Sequence, residues 1–176
     1  MENEKYIDVC REYNLPMDTN AIGASGENIA KAILEFLPFF RVVFMGEKNP
    51  ITDFYLELTN KEKPYPFLVQ VKTTSSELDS KGRLCVSVPK DKYKALCKRP
   101  LPTYVAGVHL DNQSLFLSPA FDVDLHINTI PPNMVIDMKN ITDCADKLRK
   151  IEIDVMSFWD GLSVDNYKIT FNSSIK

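Results

Sequence analysis

The 176-residue chain is 44% hydrophobic and 26% charged, with a net charge of −3 and a pI near 5.4. That composition suits one core of ordinary size, and the charge excludes a protein that holds nucleic acid by bulk electrostatics alone. No apolar run approaches the roughly 18 to 20 residues that span a bilayer, and the acidic, mixed N-terminus "MENEKYIDVC" is unlike a signal peptide, so a soluble, cytoplasmic protein is expected.

In chain order, the first twenty residues read as a short helix or strand and a loop. "GASGENIAKAILEFLPFF" then predicts an amphipathic helix: Ser25 is the expected N-cap, Glu27 lies in the first turn, and Ala30, Ile33, Leu34 and Leu37 form an apolar stripe that Pro38 ends. "FRVVFMG" and "ITDFYLEL" predict strands joined by "EKNP", and "NKEKPYP" is a turn before the strand "FLVQVKTT". "RLCVSVP" predicts a fourth strand and "KDKYKALCK" a short helix, followed by a hairpin of "TYVAGVHL" and "SLFLSP" across "DNQ". "DLHINTIPPNMVIDM" reads as loop then strand. A long C-terminal helix follows, starting near Thr142 or Asp143 and ending near Gly161, with "YKITF" as a last short strand. The succession is that of an α/β sandwich, a mixed sheet with helices on its faces.

Cys10, Cys85, Cys97 and Cys144 are scattered, with no C-x-x-C pair, so structural zinc is not expected. His109 and His126 are the only histidines, and no serine or cysteine has a nucleophile's context, which leaves a hydrolase triad without support. Polar groups on buried strands are the informative feature. Asp53, Tyr55 and Glu57 alternate on one strand, and Gln70 and Lys72 share a face of the next. A hairpin between these strands would bring Asp53 to the Gln70 and Lys72 pair. Leaving such groups buried without partners costs several kcal/mol.

The residue types fit a hard cation. Mg²⁺ takes carboxylate, amide and carbonyl oxygens, so Asp53, the Gln70 side chain and the Val71 backbone carbonyl could share one ion, with Glu27 adding a water-bridged ligand or a second carboxylate. Lys72 would hold a water or neutralise charge on phosphorus. The plainer reading of Glu27 is a helix carboxylate paired with Lys31, and that of Glu57 is a partner for the "KEK" turn. Lys90, Lys92 and Lys94, with Lys98 and Arg99, form a local basic cluster, a solvated helix face by default and a phosphate contact by position. Thr73 and Thr74 are further phosphate candidates.

Glu27 on a helix, then Asp53, then "QVK" at Gln70 to Lys72 resembles the PD-(D/E)xK nuclease superfamily. The nearest likeness is to a bacterial family with a G-E helix ("GASGENIAKAIL"), a D-x-x-x-E strand ("DFYLE") and a Q-V-K strand ("FLVQVKTT"). Mrr-like restriction enzymes and Holliday junction resolvases use related patterns. The resemblance spans about residues 20–119 and implies a single restriction-endonuclease-like three-layer domain with an αβββαβ core, to which 120–176 would add a C-terminal helix and strand. It further implies Mg²⁺ or Mn²⁺ at Asp53, Gln70 and Val71, and hydrolysis of DNA in restriction, defence or repair. A homodimer or a complex partner would accompany that activity by analogy. Many superfamily members carry Glu where Gln70 stands, so Glu57 is a candidate to strengthen the ion's shell, and a degenerate module that binds nucleic acid or assembles a complex is the alternative.

Overall fold

The computed structural model of the chain describes residues 12, 18–46, 49, 51–120, 129–130, 135–137 and 144–161. In order these form α1 (Thr19–Phe36), β1 (Phe40–Phe44), β2 (Phe54–Leu58), β3 (Pro66–Thr74), β4 (Leu84–Cys85), α2 (Lys90–Cys97), β5 (Thr103–His109), β6 (Ser114–Pro119), β7 (Thr129–Ile130), β8 (Val135–Asp137) and α3 (Ala145–Asp160). His126, the "YKITF" segment, Cys10 and the expected start of α3 at Thr142 or Asp143 lie outside the described residues.

α1 begins well upstream of the predicted N-cap. Asp18 caps it, its Oδ1 accepting the Asn20 N–H at 2.9 Å. Ser25 is buried in mid-helix, where its hydroxyl donates to the Ala21 carbonyl at 2.7 Å. Glu27 therefore sits beyond the first turn, out of reach of the helix dipole that the sequence reading assigned to it. On α1, Lys31 pairs with Glu35 at 3.8 Å. At the other end Leu37 is extended, as steric contact with the following proline demands.

Six strands form one mixed sheet in the order β1-β2-β3-β5-β6-β8. Every neighbouring pair is antiparallel except β3 and β5. Parallel neighbours need a crossover, and the segment carrying β4 and α2 supplies it. One face of the sheet, through Val69, Val71, Tyr104, Ala106 and Val108, packs with Ala30, Ile33 and Leu34 of α1 and Leu148, Ile151 and Val155 of α3. The opposite face, through Val105 and Phe116, packs with Tyr93 and Leu96 of α2 and with Leu84, Val86, Val88 and Ile130. The result is a helix layer, a sheet and a second covering layer. Each fully buried Leu or Phe in these clusters contributes about 1.5 to 3 kcal/mol relative to exposure.

"RLCVSVP" does not become a strand of the main sheet. Only Leu84 and Cys85 form a ladder, with β7, although the alternation holds: Leu84, Val86 and Val88 are buried while Cys85, Ser87 and Pro89 face out. His109 is buried at the end of β5, and its Nδ1 accepts the Asn112 N–H at 3.2 Å, closing the turn to β6. Among the described residues no helix is long and apolar enough to cross a membrane.

The two ends of the β2–β3 hairpin differ. At its closed end α3 docks on the turn: Lys61 pairs with Glu152, Lys63 with Asp160 at 2.5 Å, and the Trp159 indole N–H donates to the Pro66 carbonyl at 2.8 Å. At its open end the ladder between β2 and β3 stops at Phe54 and Val69, yet β3 continues alongside β5 as far as Thr74. The two strands fork there.

Candidate functional site

Asp53 stands at the fork, one residue before β2. Its backbone is held from both sides: its N–H donates to the Val69 carbonyl at 2.9 Å, and its carbonyl accepts the Met45 N–H at 2.8 Å. The approach is fixed by Asn49, whose Oδ1 accepts the N–H groups of Ile51 and Thr52, both at 3.2 Å. So anchored, the carboxylate takes over where the ladder ends. Its Oδ2 accepts the Val71 N–H and the Gln70 side-chain N–H, each at 2.5 Å.

Gln70 is 9% exposed. Its Nε2 also donates to the Val71 carbonyl at 3.0 Å, so one amide nitrogen bridges a carboxylate and a main-chain oxygen. Rotating that amide by half a turn would put Oε1 in the same place. Three oxygens, from Asp53, Gln70 and Val71, would then converge, the donor set that a hard cation accepts. Among the described residues no three His, Cys, Asp or Glu side chains cluster. An ion here would rest on carboxylates with amide and carbonyl oxygens.

Around this point lies a pocket of about 530 Å³ whose wall includes Glu27, Asp53, Gln70, Val71, Lys72, Thr73, Thr74 and Lys92. Glu27 enters from α1 on one side of the sheet and Lys92 from α2 on the other. Gly26 permits the first approach: a Cβ there would lie 1.8 Å from Thr73 Oγ1. Burial raises the Asp53 carboxyl above its usual range, and the Val71 N–H and the charges of Lys72 and Lys92 counter only part of that shift. Burial, then the charge of Lys92, pushes the Lys72 ammonium down, against the pull of Asp53 and Glu27. Both groups are thus held in a place that disfavours their charged forms.

The remaining sequence candidates are placed elsewhere. Glu57 faces Arg41 in the β1–β2 register and lines a separate depression with Lys61 near the closed end of the hairpin. Four residues of strand, about 13 Å, separate it from Asp53. Lys90 and Lys94 are outside the pocket wall that includes Lys92. Sequence reasoning missed Thr19, Ile22 and Gly23, which line the pocket from the start of α1, and Ser75 just after β3. The signal available for the first three was the capping character of Asp18, which starts the helix early enough to bring them in.

Compared with models of protein families, with characterised proteins and with solved structures, the chain shows no match.

Proposed function

We propose that this chain is a metal-dependent nuclease of the PD-(D/E)xK type, with a restriction-endonuclease-like fold, that hydrolyses phosphodiester bonds of DNA in restriction, defence or repair. The element order supports the reading: α1, β1, β2, β3, α2 and β5 follow the αβββαβ succession, with β4 inserted. The observation that carries it is the meeting of Asp53, Gln70 and the Val71 backbone at the fork, with Lys72 and Glu27 on the same pocket wall.

Asp53, Gln70 and the Val71 carbonyl would hold Mg²⁺ or Mn²⁺, and Glu27 would support its shell through water. Such an ion, when bound, polarises the phosphodiester and lowers the pKa of a water. Lys72 donates hydrogen bonds to the attacking water and to the oxygens on which charge develops. Its displaced pKa and that of Asp53 fit a site in which these two groups do chemistry. Thr73 and Thr74 offer hydroxyls to the phosphate from the end of β3.

The test is Mg²⁺-dependent cleavage of duplex DNA by wild type, Asp53→Ala and Lys72→Ala, with folding of each checked by thermal melting. The nuclease reading expects both variants to fold and to lose activity; folded variants that cut as well as wild type overturn the assigned roles.

One observation favours a second reading. The Gln70 amide already satisfies Asp53 and the Val71 carbonyl without any ion. A module of this fold that binds nucleic acid or a protein partner without cleaving would need nothing more, and it predicts no metal uptake.

A further inference from the structure

We infer that Lys92, from α2, binds a non-bridging oxygen of the reacting phosphate across the fork from Glu27. This rests on the nuclease reading and adds a catalytic residue to it. Of the lysines in the first half of α2, Lys92 is the one on the pocket wall with Asp53, Gln70 and Lys72. It also occupies the first turn of α2, where the positive end of a helix disfavours a cation. Pro89 stands at the N-cap and offers that end no side-chain acceptor. A second ammonium, that of Lys72, lines the same pocket. Asp53 and Glu27 on the same wall and Asp91 in the first turn of α2 offset part of this positive charge, and the two ammonium groups on one wall leave it with donors for an anion. A phosphate, with two non-bridging oxygens, can take a hydrogen bond from each lysine.

In the reaction, the water oxygen bonds to phosphorus and the bond from phosphorus to the departing sugar oxygen breaks. The attacking water loses a proton and the departing oxygen gains one. Lys92 exchanges none; it remains an ammonium and stabilises the negative charge that grows on the non-bridging oxygens.

The experiment compares full-length wild type, Lys92→Met, Lys92→Arg and a charge-matched control on α3, Lys150→Met. Two readouts run in parallel: initial rates of Mg²⁺-dependent cleavage of a linear DNA duplex, and titration with inorganic phosphate followed by the backbone amide resonances of Val71 and Lys72. Lys92→Met is expected to lower kcat by roughly a hundredfold to a thousandfold, the range for loss of one charge-stabilising donor, and to weaken phosphate binding. Lys92→Arg should restore part of both, and Lys150→Met should match wild type. If wild type cleaves and Lys92→Met equals Lys150→Met in rate and phosphate affinity, the role of Lys92 is refuted while the nuclease reading stands. If wild type cleaves nothing, the nuclease reading falls. The titration then decides alone: phosphate binding lost in Lys92→Met keeps Lys92 as a phosphate ligand, and binding unchanged or absent in wild type removes it.

Discussion

Where β3 begins, at Pro66, acids and bases are paired: Lys63 holds Asp160, Tyr65 donates to the same carboxylate at 3.1 Å, and Lys61 meets Glu152. Where β3 ends, Asp53 and Lys72 share a pocket that penalises both charges. The pKa directions are opposite. Lys63 is raised by its bond to Asp160, and Asp160 is lowered by its bond to Lys63, so each partner favours the other's charged form. At the fork Asp53 is raised and Lys72 lowered, because burial outweighs their mutual attraction. One strand thus carries paired charges at one end and, at the other, a pocket that disfavours the charges it holds.

The largest effect expected from breaking this contrast is on chemistry. Asp53→Ala or Lys72→Ala should cost at least about a hundredfold in cleavage rate, measured on duplex DNA with Mg²⁺, whereas Lys63→Met should leave the rate unchanged. Next is Gly26→Ala, whose new methyl meets Thr73 and must push α1 off β3. It should destabilise the fold by about 1 to 3 kcal/mol, read from denaturant unfolding, and lower activity by moving Glu27. At the paired end, Trp159→Phe removes the bond to the Pro66 carbonyl. The expected loss is about 0.5 to 1.5 kcal/mol, without an effect on cleavage.

Smaller effects sharpen the comparison through pH. The lowered Asp160 contributes stability that is present above its unfolded pKa and is lost as pH falls through its folded value. The raised Asp53 does the reverse: its contribution is present below its unfolded pKa and is lost as pH rises through its folded one. Acid should therefore loosen the α3 end first, visible as faster amide exchange in the last turn of α3. The lowered Lys72 costs stability at neutral pH, since its contribution is lost as pH falls through its folded value. Lys72→Met should raise the thermal midpoint at pH 7 without metal, and the gain should shrink as pH approaches the lysine range.

The meeting of Asp53 with Gln70 was legible in the sequence because strand alternation is local. Phe54, Leu56 and Leu58 are buried while Tyr55 and Glu57 are half-buried, and the polar order of Asp53, Gln70 and Lys72 survives folding. What was hidden depended on tertiary packing. Ser25 reads as an N-cap, but α1 already runs from Thr19 and Gly26 is a point of close contact with Thr73 inside it, so Ser25 caps nothing. "RLCVSVP" alternates like a sheet strand, yet it covers the sheet's face beside α2. Nor could spacing alone separate Lys92 from Lys90 and Lys94, or show that Glu57 points toward the Lys61 end of the hairpin. The parallel pairing of β3 with β5, which carries β3 on to Thr74 past the end of its ladder with β2, is a long-range choice that no local pattern encodes.

Calorimetric titration of the metal-free protein with Mn²⁺ tests the central claim most directly. Saturable uptake by wild type that disappears in Asp53→Asn is the predicted result. Absence of any heat of binding in wild type, or uptake that Asp53→Asn leaves intact, would contradict it.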